Sequence, residues 1–132
     1  TRKMMQKFEL YDSIESCNNV LVIPPQGYLD FLTLSTYAKK IITDSGGLQR
    51  EAYFLKKPCV NIYDHTVWPE IEEEGWQEVT GMDKKQIVKS IRNFEPTNVQ
   101  SDIFGEGNAA EKISQIINSF DMESSFEFNS GE

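Results

Sequence analysis

The stretch that decides the fold runs from Ile41 to Ala52 and reads IITDSGGLQREA. Its first three residues predict the end of a short strand, and the segment from Gly46 onward predicts a helix. Asp44 and Ser45 form the turn between them. The letters DSGG admit two hypotheses: the serine is a nucleophile, as in serine proteases, or it caps a helix whose first amides bind an anion. The rest of the sequence has to decide between these chemistries.

The composition limits the partners that this chain can have. It has 132 residues, of which 39% are hydrophobic and 26% charged, which fits one globular domain. A net charge of -8 argues against nucleic-acid and membrane partners, because those need clustered Lys and Arg. A polyanionic small ligand stays possible, since a few aligned backbone N–H groups hold a phosphate without net positive charge. No apolar run approaches the ~18 residues of a membrane span, and Cys17 and Cys59 form no disulfide framework. We expect a cytoplasmic protein with reduced cysteines.

Short apolar runs alternate with helical patterns along the chain. Helices are predicted around Met4 to Phe8, over 28–38 and 46–55, from Pro69, after an Asp83 cap, and over 109–120. Strands are predicted over 20–23, 40–43, 58–63 and 76–80, the first of them buried on both faces. This alternation indicates an α/β fold with a parallel, doubly wound sheet. Ligands of such sheets bind at the carboxyl ends of the strands.

The nucleophile hypothesis needs a base, and the chain offers one histidine, His65, beside Asp64. Three observations disfavour a triad with Ser45. The protease form of DSGG belongs to an all-β scaffold, whereas this one joins a strand to a helix. Adjacent residues of an extended segment point in opposite directions, so Asp64 is not expected to orient His65. The nucleophile elbow of α/β hydrolases also needs glycines on both sides of the serine, in the pattern G-x-S-x-G.

The anion-cradle hypothesis uses the same residues without a base. Ser45 is a good N-cap residue, and Gly46 and Gly47 leave N–H groups that a phosphate can approach closely. The positive end of the helix dipole adds roughly 0.3–1 kcal/mol for a nearby negative charge. Glu51, about a turn further along, can accept hydrogen bonds from the hydroxyls of a ribose. The pattern alone leaves a simpler alternative open, in which these residues only cap a helix.

Four separated blocks resemble one family, in order and in spacing. They read QGYLDFLTL from residue 26, IITDSGGLQREAYFLKKPCVNI from 41, DHTVWPEIEEEGWQEVTG from 64 and FGEGNAAEKI from 104. Over residues 1–118 the chain resembles the C-terminal half of the non-hydrolysing UDP-N-acetylglucosamine 2-epimerases. It is most similar to the branch that includes the epimerases of UDP-diacetamido sugars.

The resemblance implies a fold and an activity. The fold is a glycosyltransferase-B-like pair of Rossmann-type domains, with residues 1–120 forming part of the C-terminal, nucleotide-binding one and 121–132 an acidic, disordered tail. The activity is inversion at C2 of a UDP-amino sugar by elimination and re-addition of UDP, an isomerase reaction without a cofactor, in a homodimer of the full-length protein. The alternatives are a UDP-sugar-binding module or glycosyltransferase-like domain without epimerase activity.

The resemblance also implies which residues bind UDP. Ser45, Gly46 and Gly47 are expected to hold the diphosphate and Glu51 the ribose, while Gln26 and Phe31 belong to the uridine pocket. Trp68 is a weaker candidate, because the residue that contacts the ligand at this position in some relatives is an arginine and not a tryptophan. Two further departures, Tyr63 for a basic residue and Val67 for an acidic one, indicate a shifted substrate or weakened activity. No metal site is expected, since the acidic run 72–74 lacks further suitably spaced ligands.

The expected catalytic groups are not in this chain. By the resemblance, several carboxylates and a histidine that move the C2 proton lie upstream of Thr1, so the chain alone is expected to be inactive. The chain lacks a start methionine, and we expect it to be part of a longer protein. The four predicted strands would be the third to sixth of the Rossmann order 3-2-1-4-5-6. Without the central two, the sheet is expected to re-pair its strands, to swap them with a partner, or to need a further segment.

Overall fold

The computed structural model describes residues 2–120, which belong to two compact units that meet in the sequence between Lys39 and Lys40. The acidic tail predicted over 121–132 lies outside the described residues. No helix among residues 2–120 has both the length and the apolar character needed to cross a membrane.

The first unit contains three helices, α1 (Arg2–Lys7), α2 (Tyr11–Glu15) and α3 (Tyr28–Tyr37). The helices predicted near Met4 and over 28–38 are confirmed, whereas α2 is too short to give a clear periodic pattern and was not predicted. Helix α3 begins after Gly27, whose carbonyl accepts the N–H of Phe31 at 2.9 Å. It ends where Ala38 adopts an extended conformation.

The predicted first strand, Val20 to Ile23, is wrong. This segment has no regular structure, and its four side chains are 44%, 85%, 36% and 45% exposed instead of buried. An apolar β-branched run becomes a strand only when a neighbouring strand takes up its backbone hydrogen bonds. No other strand among residues 2–120 pairs with it.

The second unit is built on a three-stranded parallel sheet in the order β1 (Ile41–Thr43), β2 (Cys59–Asn61), β3 (Gln77–Val79). Ile41 lies opposite Cys59, which in turn lies opposite Gln77. All three residues of β2 are buried, as expected for the central strand of a parallel sheet. The α/β class and three of the four predicted strands are thus confirmed. The expectation of re-paired strands is wrong, because the three strands form one contiguous sheet.

Up to residue 120 the second unit also contains four helices, α4 (Gly46–Phe54), α5 (Pro69–Glu73), α6 (Lys84–Asn93) and α7 (Ala109–Ser119). Helix α4 packs on β1 and β2, α5 on β3 and α6 on β2. The predicted cap of α6 is present, since Asp83 Oδ1 accepts the N–H of Gln86 at 2.8 Å. The helix predicted over 109–120 is also present, although its isoleucines, Ile113, Ile116 and Ile117, are more than half exposed.

Tyr53, on α4, fastens the end of that helix to later parts of the second unit. The residue is 2% exposed, and its ring meets Trp76 and Phe104 edge-on at 6.2 and 5.5 Å. Its hydroxyl lies 2.5 Å from the Glu74 carboxylate and 2.7 Å from the carbonyl oxygen of Ser101. Burial first, and then the neighbouring Glu74 carboxylate, raise the pKa of Tyr53 from 10.0 to about 12.

Candidate functional site

The turn between β1 and α4 forms the centre of the candidate site. Thr43 ends β1, and its buried Oγ1 accepts the backbone N–H of Ser45 at 3.0 Å. Ser45 takes the extended N-cap conformation, and its own hydroxyl accepts the N–H of Leu48 at 3.5 Å, a long hydrogen bond. The chain therefore passes from a parallel strand into a capped helix at the carboxyl end of β1, where α/β proteins bind ligands.

Two backbone N–H groups at this helix start are free. Among the described residues, no acceptor takes the N–H of Gly46 or of Gly47. Gly47 and Ser45 are exposed and Gly46 is half-buried, so the amides lie at the surface. Unpaired N–H groups at the start of a nine-residue helix attract an anion, because the helix dipole adds to their own partial charges.

The two glycines differ in what surrounds them. A Cβ on Gly46 would lie 2.6 Å from Cγ2 of Val67, closer than two carbon atoms can approach. A Cβ on Gly47 would meet only the Ser45 hydroxyl, at 3.8 Å, which is an ordinary contact. Neither glycine has the positive φ that favours this residue type. Packing thus requires a glycine at 46, whereas nothing in the described protein requires one at 47.

The loop after β2 lies against the start of α4. The indole N–H of Trp68 donates to the carbonyl oxygen of Gly46 at 2.7 Å. Thr66 Oγ1 accepts the backbone N–H of Trp68 at 3.0 Å and the side-chain amide of Gln77 at 2.6 Å. Gln77 and the nearby Gln49 are both 2% exposed. This polar network was not predictable from the sequence, because its members come from three different elements.

Trp68 and Arg50 form a second contact across this loop. The guanidinium carbon of Arg50 lies 4.9 Å from the centre of the Trp68 ring, in cation–π geometry. Arg50 is exposed, and it lies in the same stretch as the acidic Asp44 and Glu51. Arg50 was not among the site residues predicted from the sequence, and its observed contact is with the Trp68 ring.

His65 and Asp64 do form a pair, contrary to the argument from extended geometry. His65 Nδ1 lies 2.8 Å from Asp64 Oδ1, because the chain bends after β2. The bend is held by Asn61, whose side chain bonds to the Tyr63 N–H and the His65 carbonyl. Within residues 2–120 no hydrogen bond joins His65 to Ser45, whose hydroxyl is instead the helix cap. A serine triad is therefore not assembled.

The remaining predicted residues lie in two places. Glu51 is half-buried on α4. Gln26 and Phe31 belong to the first unit, where they line one apolar pocket of about 550 Å³ together with Ile23 and Pro24. The side-chain amide of Gln26 donates to the Pro24 carbonyl at 2.7 Å, and Phe31 is 37% exposed. Residues 2–120 contain no cluster of three or more His, Cys, Asp or Glu that could hold a metal ion.

Known proteins resemble this chain throughout its described length. A family model described as UDP-N-acetylglucosamine 2-epimerase matches residues 1–118. A UDP-N-acetylglucosamine 2-epimerase homolog of Methanococcus maripaludis is 42% identical over 118 residues, which are 89% of this chain and 33% of that protein. The UDP-2,3-diacetamido-2,3-dideoxy-D-glucuronate 2-epimerase of Pseudomonas aeruginosa is 37% identical over 74% of this chain and 28% of its own length.

A solved structure agrees with these sequence matches. The UDP-GlcNAc 2-epimerase of Methanocaldococcus jannaschii, in complex with UDP-GlcNAc and UDP, superposes with a TM-score of 0.80 at 36% identity. The match covers 89% of this chain and 33% of that one, so this chain spans about a third of the length of the relatives it matches. Sequence and fold agree over the same residues, and the chain belongs to the UDP-N-acetylglucosamine 2-epimerase family.

Proposed function

We propose that this chain is the UDP-binding part of a UDP-N-acetylglucosamine 2-epimerase, an isomerase of UDP-amino sugars. The observation that carries the proposal is the pair of unpaired amides at Gly46 and Gly47, at the start of a helix that follows a parallel strand. Family membership supports the ligand, because a relative at 36% identity is described in complex with UDP-GlcNAc and UDP.

Each candidate residue has a role in this proposal. Ser45 caps α4 and its hydroxyl hydrogen is directed to the diphosphate, which Gly46 and Gly47 hold by their backbone N–H groups. Glu51 accepts hydrogen bonds from the ribose hydroxyls. Gln26 and Phe31 form the uridine pocket, where the half-exposed ring offers an apolar face to the base. None of these candidate residues is assigned to the amino sugar, which other residues would have to bind.

The diphosphate site serves the chemistry by holding the leaving group. In the proposed reaction a base removes the C2 proton, the bond from C1 to the diphosphate oxygen breaks, and a glycal and UDP result. UDP then adds back to C1 and a proton returns to the opposite face of C2. Amides aimed at the diphosphate stabilise the charge that develops on it as the bond breaks. They also keep UDP in place for its return.

The groups that move the C2 proton are proposed to lie outside this chain. A general base has to reach the C2 proton and have a tuned pKa. Within residues 2–120 the pair His65–Asp64 is the one histidine–carboxylate contact, and both side chains are largely exposed. Residues 1–120 would thus be part of the nucleotide-binding domain of a two-domain, homodimeric enzyme, with 121–132 as its tail.

Calorimetric titration tests the binding proposal. We expect the protein to bind UDP, and to bind uridine more weakly because uridine lacks the diphosphate. A chelator is expected to leave the affinity unchanged, since the amides and not a metal hold the phosphates. Absence of binding heat at millimolar UDP would refute the proposal.

Deuterium exchange tests the reaction. The full-length protein in D₂O is expected to convert UDP-N-acetylglucosamine to its C2 epimer with deuterium at C2, whereas the 132-residue chain alone is expected to bind UDP without exchange. Exchange catalysed by the isolated chain would show that its own residues move the proton. Binding without exchange by the full-length protein would instead favour the alternative, a UDP-binding module without epimerase activity.

A further inference from the structure

We propose that Trp68 is a positioning residue of the diphosphate site, which holds the carbonyl of Gly46 and thereby orients the N–H of Gly47. The inference rests on the proposed function and assigns to Trp68 an action through the backbone. It replaces the expectation that Trp68 touches the ligand itself.

The geometry of the peptide bond carries the first step. Gly46 O and the N–H of Gly47 belong to the same planar trans peptide, in which the C=O and N–H bonds point in opposite directions. The indole N–H of Trp68 donates to Gly46 O at 2.7 Å. Fixing this oxygen therefore fixes the direction of the Gly47 N–H, which has no acceptor among the described residues.

Trp68 is itself held from three sides. Its backbone N–H donates to Thr66 Oγ1 at 3.0 Å. The ring of Phe104 meets its indole edge-on at 5.4 Å and 87°. The guanidinium of Arg50 lies over its face, 4.9 Å from the ring centre. A donor fixed in this way orients the peptide before a ligand arrives, so less conformational freedom is lost on binding.

The contact also favours an indirect role for Trp68 over a hydrogen bond to the ligand. An indole has one hydrogen-bond donor and no acceptor. That donor is already used on the Gly46 carbonyl. The neighbouring Val67 occupies the space beside the Gly46 Cα, where a Cβ would come within 2.6 Å. The loop can therefore approach the helix this closely only because residue 46 has no side chain.

Two changes at position 68 test the inference. Trp68→Phe removes the N–H and part of the ring, and replacement by 3-benzothienylalanine keeps the shape of the indole while removing only the N–H. Each is expected to lower the affinity of the protein for UDP by about fivefold, the effect of one neutral hydrogen bond. The affinity for uridine should stay within about twofold of wild type, since uridine has no diphosphate to meet the Gly47 amide.

Trp76 provides a matched control. Its indole N–H is buried without a hydrogen-bond partner among the described residues, so the same two replacements remove no bond there. They are expected to leave the affinities for UDP and uridine unchanged. The measurements are calorimetry for UDP and ligand-observed NMR for uridine, both on the same preparations.

Two outcomes overturn the inference while leaving the proposed function intact. The first is wild-type UDP affinity in the benzothienyl variant. The second is an equal loss of UDP and uridine affinity, which would indicate a general effect of Trp68 on the fold. A wild-type protein that fails to bind UDP would refute the proposed function, and this inference with it.

Discussion

The adjacent residues Gly46 and Gly47 are chemically identical, but their surroundings differ. A Cβ on Gly46 would overlap a methyl group of Val67, whereas a Cβ on Gly47 would make only an ordinary contact with the Ser45 hydroxyl. A pair of glycines in a sequence predicts that another group approaches the backbone closely, but it does not show whether that group belongs to the protein or to a ligand. The structure separates the two cases, and each leads to its own prediction.

Gly46→Ala is expected to lower the free energy of unfolding by about 1–3 kcal/mol, because the added methyl group overlaps Val67 Cγ2. The double variant Gly46→Ala, Val67→Ala should recover most of this loss, since it removes the opposing atom. Urea unfolding of the two single variants and the double variant measures the coupling. Additive effects of the two changes would contradict the contact.

Gly47→Ala is expected to affect binding and stability in opposite directions. Alanine is favoured over glycine inside a helix, and a Cβ here meets only the Ser45 hydroxyl at 3.8 Å, so stability should rise by up to about 1 kcal/mol. UDP affinity should fall, because the methyl group stands where the phosphate approaches the amide. Thermal unfolding and calorimetry on one preparation measure both. Unchanged UDP affinity would show that the phosphate does not approach residue 47.

Among the elements, helix α6 depends on a lysine from outside it. Lys40, just before β1, directs its ammonium to the carbonyl oxygens of Ser90, Ile91 and Phe94 at the end of α6. The Ser90 carbonyl also accepts the N–H of Phe94 at 2.9 Å, whereas those of Ile91 and Phe94 accept no backbone N–H among the described residues. A cation here also complements the negative end of the helix dipole. The Lys40 side chain is 9% exposed, so solvent does little to replace it.

Lys40→Met is expected to lower the free energy of unfolding by about 1–3 kcal/mol, because it leaves the carbonyl groups of Ile91 and Phe94 without a donor. Lys39→Met is the control, as Lys39 is exposed and has no hydrogen bond or ion pair among the described residues. Urea denaturation of both variants gives the comparison. Equal stability of the two would contradict a capping role for Lys40.

The elements that the sequence predicted are those whose signal is local. Ser45 and Asp83 cap helices where expected, and the strand ending at Thr43 is present. The strand prediction for Val20 to Ile23 was wrong, because a strand needs a neighbouring strand, which its own residues do not specify. The Trp68–Gly46 bond was equally unpredictable, since it joins residues 22 positions apart through a loop.

At the scale of the whole molecule, the four sequence blocks that resemble the family revealed more about the protein than the periodicity of its hydrophobic residues did. The parallel sheet and the family are confirmed. The binding roles of Ser45, Glu51, Gln26 and Phe31 stay predictions, and the positioning role of Trp68 is a proposal. Side-chain chemistry alone left the DSGG segment open between a cap and a phosphate cradle, because both use the same backbone geometry.

The stability of the protein is expected to fall in alkali through Tyr53. Its pKa is 10.0 in the unfolded chain and about 12 in the folded protein. Between these values the unfolded chain releases the proton and the folded protein keeps it, so unfolding becomes easier as the pH rises. The corresponding loss in the free energy of unfolding is on the order of 2–3 kcal/mol once the pH reaches the pKa of the folded protein.

Tyr53→Phe should remove this loss above pH 10, while lowering stability at neutral pH because Glu74 and Ser101 lose a donor. Tyr37→Phe is the control, since Tyr37 is 85% exposed. Urea midpoints from pH 7 to 12 give the profile. An alkaline slope that is unchanged in Tyr53→Phe would contradict the assignment.

The overlap between Val67 and the site of a Gly46 side chain bears on how such a protein can change over generations. A residue larger than glycine fits at position 46 without overlap only after Val67 has been replaced by a smaller residue. Replacement of Val67 by a smaller residue, in contrast, meets no such overlap with Gly46. The two substitutions therefore have a permitted order, and the reverse order passes through a weakened ancestor. A related protein with a larger residue at position 46 is therefore expected to have a residue smaller than valine at position 67.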